Sequence, residues 1–564
     1  MADSKRSVVD RKQRILSRRE IEGLIAQGRH IVIYDGKVLK TDSWLQYHPG
    51  GQISIKHMVG RDATDEINVH VSPLSLKKLY QARQRMLAYQ IGRIQGRWTN
   101  FLPPIQGGEF RLYNKDEAAR LDDSSDASSR CSSPIFDEPI DEKTGLRRRN
   151  SVSSVASSAS PVPSHDEKSE SHFSFLDART QQEIALDTAK YPAVDAASQE
   201  YIVQKYRELD QRIAAQGLYN CNYWGYFREC CRYFLFAALS YTFLQWGWYM
   251  LSAVFLGCLW HQLVFTVHDA GHMGITHNFQ VDTTIGMTIA SYIGGLSLCW
   301  WKHNHNVHHI VTNAPEHDPD IQHLPFFAIS HRFLTNLRTS YYGIVMKYDF
   351  VAKICLQVQN YLYYPIMLFA RFNLYALSYV HLVMGRGPRK GPAWWHRFYE
   401  IVGVCFFWTW FGYGILYCTL PNWSTRIGYL LISHMVTSPL HVQITLSHFA
   451  MSTADLGVTE SFPQKMLRTT MDVDCPTWLD FFHGGLQFQA IHHLFPRIPR
   501  HNLRETQKLI KEFCREVEIP YAIFTFVDGN KEVISRLADV AKQAKIMEEC
   551  RKSIAREGVF ATHH

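Results

Sequence analysis

Histidines in three clusters are the residues of this sequence best suited to chemistry. The first cluster reads HDAGH, the second HNVHH, and the third QAIHH, in which glutamine takes the first position of the second pattern. Residues three or four positions apart lie on one face of a helix, so the side chains of each cluster can reach one metal centre. The candidate metal ligands are His268, His272, His305, His308, His309, Gln489, His492 and His493.

These residues alone do not decide which metal binds. Imidazole suits zinc, copper, iron and nickel, and no cysteine stands among the ligands. Seven histidines are too many for one ion, but they can hold two metals with positions left for oxygen. A single buried histidine is usually a hydrogen-bonded core residue, whereas seven in three helical registers disfavour that interpretation. Nearby acids either orient the imidazoles or are solvated surface residues; they are Asp269, Glu316, Asp318 and Asp320.

A further pair of histidines lies near the N-terminus. His48 precedes a Pro-Gly-Gly turn, and His70 follows 22 residues later. A turn and a helix that each present one imidazole can clamp a planar cofactor from both faces. Two imidazoles on a haem iron leave no open coordination position, which suits electron transfer better than oxygen chemistry.

Apolar segments could position the clusters in a membrane. Residues 233–267 contain no Asp, Glu, Lys or Arg. As one helix they would be about 50 Å long, too long for a hydrocarbon core of about 30 Å. A hairpin of two spans that turns near Gln245-Trp246-Gly247 is therefore expected.

Two further spans are expected at 401–420 and 427–446, while 281–301 and 363–380 would lie in the interface or penetrate partway. The alternative, buried helices of a large soluble protein, is disfavoured by two closely paired hairpins. Four spans place both termini on one side of the membrane, and the arginine-rich flanks of the spans favour the cytosol for that side.

The remaining composition excludes several classes of function. The net charge of +8 comes without a dense basic block, so nucleic acid is not an expected partner. Twelve scattered cysteines indicate neither a disulfide framework nor a zinc ribbon. Residues 120–170 are rich in Ser, Asp and Pro and are expected to be disordered. The RRRNS motif within them makes Ser151 either a kinase site or part of an unmodified basic loop.

Two parts of the chain resemble known families. Residues 15–95, with HPGG and GRDAT, resemble the cytochrome b5 domain, although the family usually separates its two haem ligands by slightly more residues. Residues 200–520 resemble the membrane fatty-acyl and sphingolipid desaturases, on the three clusters and on TNAPEHDPDI and HHLFPRIPRHNLR. The fused cytochrome b5 and the glutamine of the third cluster are typical of the front-end branch, and the whole is most similar to fungal Δ8 sphingolipid desaturases.

The resemblance implies the cofactors and their ligands. Haem b would be held by His48 and His70, and a non-haem di-iron centre by the eight clustered side chains, with O2 as co-substrate. The family recruits further ligands, for which His448 and His483 are candidates. No catalytic residue is expected beyond the metal centre.

The expected fold class is multidomain. A small α+β cytochrome b5-like haem domain (1–100) would be followed by a Ser-rich disordered linker (101–195). An all-α polytopic membrane desaturase domain of about four transmembrane helices (196–525) and a cytosolic C-terminal helical tail (526–564) would complete the chain. The linker would let the haem domain swing to the membrane domain.

The expected function is O2-dependent Δ8 desaturation of the long-chain base of ceramide. Partners would be the lipid substrate, the membrane and an NADH–cytochrome b5 reductase, since no dinucleotide-binding motif is present. The expected location is the endoplasmic reticulum membrane, multi-pass, with the haem domain and the histidine clusters facing the cytosol. The alternatives are a front-end (Δ6/Δ5-type) fatty-acyl desaturase, a lipid hydroxylase with the same di-iron chemistry, and a non-catalytic membrane-tethered haem electron carrier.

Overall fold

The computed structural model describes residues 12–71, 85–108, 175–388 and 390–561. Ser151 and most of the expected linker lie outside the described residues.

The N-terminal module is built on a three-stranded antiparallel sheet in the order β1 (Ile31–Tyr34), β2 (Lys37–Lys40) and β3 (Gln90–Arg93). Ser17 and Glu20 form a reciprocal capping box that begins the first helix. Phe101 packs into the apolar core of the module, so the module extends slightly beyond the expected boundary at residue 100. Its elements are α1 (Arg18–Ala26), β1 (Ile31–Tyr34), β2 (Lys37–Lys40), α2 (Ile53–Lys56), α3 (Thr64–Val71) and β3 (Gln90–Arg93).

Two helices, α4 (Phe175–Lys190) and α5 (Ala196–Ala215), lead into the larger half of the chain. The expectation of a disordered linker up to residue 195 is therefore wrong for its last part. Asp187 on α4 forms an ion pair of 2.8 Å with the buried Arg468, which holds this helix against the folded chain. The helix α4 is therefore ordered, although its sequence is polar, because Asp187 binds a buried arginine.

The first apolar hairpin forms and turns where the sequence predicted, but it does not contain the two expected spans. α6 (Tyr223–Gln245) and α7 (Tyr249–Gly271) are joined by a turn at residues 246–248, where the sequence predicted one. Only α7 is apolar enough along its length to count as a span. α6 carries Arg228, Glu229 and Arg232 in its first half, where they reduce its apolar length.

The second expected hairpin is only partly present. His396–Phe407 (α13) continues as a π-helix to Thr419, and together with the preceding turn it forms a second candidate span, Gly391–Thr419. The expected span at 427–446 is instead two short helices, α14 (Trp423–Met435) and α15 (Ser438–Phe449). Pro439 stands in the first turn of α15, where it cannot donate a backbone hydrogen bond to the preceding helix.

Within the described residues, two helices can cross a membrane, or three if a bent pair counts as one span. This bent pair is α11 (Gln359–Met367) with α12 (Ala370–Met384), at 72° to each other. The segment 281–301 forms α8 (Phe279–Met287), a π-helical turn and the beginning of α9 (Leu298–Val311), which carries the second histidine cluster.

The remaining elements include the short helix that carries the third histidine cluster and the helices packed against it. α5 packs through Tyr206 and Ile213 against α18 (Gln489–Leu494) and α19 (Leu503–Glu516). α20 (Phe526–Ala561) packs through Val533 and Leu537 against the end of α15. These elements are β4 (Leu337–Arg338), β5 (Val345–Met346), α10 (Phe350–Leu356), α16 (Phe462–Thr469), β6 (Asp472–Asp474), α17 (Asp480–His483), α18 (Gln489–Leu494), α19 (Leu503–Glu516), β7 (Ile523–Thr525) and α20 (Phe526–Ala561).

Arg468 offers a test of this packing. Its side chain is 1% exposed and bonds Glu460 at 2.7 Å as well as Asp187. Because Arg468→Ala leaves two carboxylates without their cation, it should destabilise the protein by about 3–5 kcal/mol, measured by unfolding in detergent. Arg212→Ala, which breaks an exposed pair with Glu512, should change stability by less than about 1 kcal/mol. Similar small effects of both substitutions would contradict this account.

Candidate metal centre and haem-binding residues

The first and third clusters meet around one point. His268 and His272 lie at the C-terminal end of α7, and the His492 ring on α18 is 4.5 Å from each of them, between ring centroids. His305 on α9 completes the group, in which one nitrogen of each ring lies within 4.8 Å of those of the others. Four imidazoles from three helices thus face a common centre.

A second group forms beside the first. His308 on α9, His448 at the end of α15 and His493 on α18 place their nitrogens within 4.8 Å of one another. His309 lies between the two groups, with its ring centroid 4.9 Å from that of His272 and 4.2 Å from that of His493. The two groups offer ligand atoms for two metal ions.

Two carboxylates contact these rings directly. His308 donates from Nδ1 to Asp318 Oδ2 at 2.8 Å, which leaves its Nε2 to face the centre. Asp320 lies 3.5 Å from His305 Nδ1 and forms a third ligand group with His305 and His308. Although burial lowers the pKa of His308, the charges of Asp318 and Asp320 outweigh it and raise that pKa.

The protonation and the hydrogen bonding of the clustered imidazoles show whether these residues suit a metal. Burial, together with the neighbouring His493, holds the pKa of His309 well below its ordinary value, so this ring is neutral, as a metal ligand must be. Buried ring nitrogens without a hydrogen-bond partner among the described residues are unusual in a folded protein. Some lie elsewhere in the described residues, such as His261 Nε2 and His434 Nε2, but five belong to the two groups and to His309: His272 Nε2, His309 Nδ1, His448 Nδ1, His492 Nε2 and His493 Nε2. A bound metal would supply the missing partner.

Of the other candidate ligands, Gln489 lies beside the second group and His483 lies outside both groups. Gln489 is buried and its side-chain amide lies beside the ring of His448, at the edge of the second group. His483 does not join either group; its ring contacts Phe482 and Phe526 at 5.4 and 5.7 Å between centroids. His448 is therefore the better of the two additional candidates.

Residues outside the clusters hold the third cluster in place. Asp472 on β6 accepts the backbone N–H of Ala490 at 2.8 Å and the Tyr521 hydroxyl. Burial raises the pKa of Asp472 to about 7. Tyr206 on α5 donates to the carbonyl of Leu494 at 2.7 Å. The short helix α18 is thus fixed at both ends, which the sequence did not indicate.

Arg500 connects the first and third clusters. Its guanidinium donates to the Phe265 carbonyl at 2.9 Å and to Asp269 at 2.5 Å, and it also pairs with Glu229. Asp269 therefore joins the end of α7 to the segment after α18. The basic continuation RIPRHNLR was visible in the sequence, but its partner in HDAGH was not.

The haem candidates share one feature. His48 donates from Nδ1 to the Gly51 carbonyl at 2.6 Å, and His70 from Nδ1 to the Glu66 carbonyl at 2.7 Å. Each ring therefore keeps Nε2 for an iron, in the tautomer that haem ligation requires. Burial lowers the pKa of both rings, which favours the neutral form.

Comparison with known proteins agrees with this geometry. Residues 244–525 match the family model described as fatty acid desaturase, and residues 17–95 match the cytochrome b5-like haem/steroid binding domain. The chain belongs to the fatty acid desaturase family. Its N-terminal module is a cytochrome b5-like domain, so the family implies iron and the module implies haem.

Curated relatives match over nearly the whole length of this desaturase. A Delta 8-(E)-sphingolipid desaturase of Emericella nidulans is 66% identical over 98% of this chain and 99% of its own. Proteins of the same name from Kluyveromyces lactis and Candida albicans are 48% identical (98% of this chain, 97% of the relative) and 46% identical (96% and 98%). The chain is therefore an oxidoreductase and, with its apolar helices, a membrane protein.

The grouping of the histidines predicts which substitutions affect iron. His493→Ala should lose most of the bound iron, and Asp318→Asn should weaken its binding by about 10- to 100-fold, because the His308 ring loses its charged partner. His483→Ala, at a histidine outside both groups, should retain the iron. Metal analysis after dialysis against a chelator measures all three. Equal iron in His493→Ala and wild type would show that the ligand set is wrong.

Proposed function

We propose that this desaturase inserts an (E) double bond at carbon 8 of the long-chain base of a ceramide, in a reaction that consumes O2. The convergence of three histidine clusters into two adjacent groups carries the redox part of the proposal. The full-length similarity to proteins named Delta 8-(E)-sphingolipid desaturase supports the substrate and the position of the bond.

Two iron ions would be held by the two groups. The first would use His268, His272, His305 and His492, and the second His308, His448 and His493, with His309 between them. Asp320 and Gln489 are close enough to ligate or to hydrogen-bond a ligand. When bound, the iron pair supplies the redox chemistry by which O2 removes two hydrogens from adjacent methylene groups.

The protein's own contribution is positional. Asp318 holds His308 in one tautomer, and Asp472 and Tyr206 hold α18, so the imidazoles do not have to reorganise. His309 and His493 are fully buried, so solvent does not reach these two rings. The C–H bonds of an alkyl chain are unactivated, so a fixed and dry site is required.

Electrons would enter through a haem b held by His48 and His70. An NADH-dependent cytochrome b5 reductase would reduce it, since the chain shows no nucleotide-binding motif of its own. We place the protein in the endoplasmic reticulum membrane, with the haem module and the clusters on the cytosolic side, because the arginine-rich flanks of the apolar segments favour that side.

Lipid analysis tests the substrate. Expression in a host without Δ8-unsaturated long-chain bases should produce a new double bond at carbon 8 of the sphingoid base, detected by mass spectrometry with localisation of the bond. New unsaturation in fatty acids alone would instead indicate a front-end acyl desaturase. A mass gain of one oxygen would indicate a hydroxylase, and unchanged lipids would favour a haem electron carrier.

The fused haem should be indispensable. His48→Ala removes one axial imidazole, so the variant should lose its haem absorbance and nearly all desaturation, even with free cytochrome b5 in the assay. His30→Ala, at a partly exposed histidine of the same module that pairs with Asp42, should keep both. Full rescue of His48→Ala by free cytochrome b5 would refute the expectation.

A further inference from the structure

The haem module packs closely against the helix that carries the second histidine cluster. The HPGG turn meets the outer face of α9: a Cβ added to Gly50 would lie 2.2 Å from Asn306 Nδ2, and one added to Gly51 would lie 2.2 Å from His303 Nδ1. Only glycine allows so close an approach of backbone to helix. Beside this contact, Ile310 of α9 packs into an apolar cluster of the module.

An ion pair reinforces the contact on another side of the module. Arg207 on α5 binds Asp65 on α3 with two bonds, 2.8 Å from Nε to Oδ1 and 3.2 Å from Nη2 to Oδ2. The Asp65 side chain is only 11% exposed, whereas that of Arg207 is 45% exposed. A bidentate guanidinium–carboxylate pair of this kind fixes orientation as well as proximity.

A third contact reaches the haem-ligand candidate itself. Arg497, which follows the third cluster and is buried, donates from Nη1 to the backbone carbonyl of His70 at 3.2 Å. The His70 ring then lies edge to face with the ring of His309, 6.0 Å between centroids. The helix that presents an imidazole to the haem thus adjoins the helix that presents one to the metal centre.

We propose that the haem module works from this docked position and that electrons pass through the adjoining imidazoles of His70 and His309. The proposal rests on the proposed function and replaces the swinging movement that the long linker suggested. A fixed, short contact favours transfer because electron tunnelling slows steeply with distance. The docked haem module also covers the face of α9 that it contacts, so a free cytochrome b5 cannot bind there.

The redox balance of each passage is simple. Each passage would oxidise a bound haem iron from ferrous to ferric and would reduce one non-haem iron from ferric to ferrous. No bond forms or breaks at His70 or His309, and no proton leaves either neutral ring. One double bond requires two passages, and the NADH-dependent reductase restores the ferrous haem after each.

Charge reversal at the ion pair tests the docked position. In the anaerobic full-length holoenzyme, with the haem pre-reduced and the non-haem iron oxidised, haem absorbance follows the transfer without any lipid. Asp65→Arg and Arg207→Asp should each slow transfer by about tenfold or more, equivalent to about 1.4 kcal/mol of docking free energy. The double variant restores the pair with its charges exchanged and should recover most of the rate.

Controls separate docking from folding. Haem and iron contents should equal those of the wild type in all three variants. Arg212→Asp reverses a charge on the same helix that pairs with Glu512 instead of the module, and it should leave the transfer rate unchanged. The proposal would be overturned if both single variants transferred electrons at the wild-type rate, or if the double variant did not recover that rate.

The readout is independent of the substrate. If the wild type made no Δ8 double bond but the charge-reversal pattern held, the proposed function would fail and the docked transfer would stand. If the wild type made the Δ8 bond but all variants transferred electrons equally, the docked position would be refuted while the proposed function remained.

Discussion

The structure depends on a constraint that burial imposes on histidine. A buried imidazole nitrogen without a partner costs free energy, and here several such nitrogens face one another in two adjacent groups. Asp318 partly offsets this cost by accepting from His308, but His493 Nε2 and His309 Nδ1 have no acceptor among the described residues. Iron binding would relieve the constraint, so we expect metal loading and the stability of this region to be coupled.

The helix α9 joins the two redox parts of the chain. One face carries His305, His308 and His309 toward the metal centre, while His303 and Asn306 meet the haem module on another. Residues three or four positions apart lie on the same face of a helix, and the residues between them lie on other faces. The one helix α9 can therefore contact both the metal centre and the haem module. The metal centre and the haem module thus lie against the same helix, although a long stretch of chain separates them in sequence.

Supporting contacts come from distant parts of the sequence. Arg500 ties the segment after the third cluster to Asp269 in the first, and Asp472 holds the beginning of α18. Such contacts explain why the clusters can lie far apart in sequence and still converge. Each of these contacts is a charged or buried hydrogen bond that holds a short element in one position. Such bonds keep metal ligands in one geometry.

Local pattern was sufficient to predict the histidine clusters, the HPGG turn and the break of the first hairpin near Trp246, because spacing and composition act over a few residues. Tertiary packing decided the rest. His492 and His493 are neighbours in sequence but point to different sides of α18, so each enters a different metal group. The way in which distant elements cross determines which partner each ring has and why His448, and not His483, joins a metal group. It also determines the division of 427–446 into two helices and the contact of the haem module with α9. Periodicity within one helix does not encode such crossings.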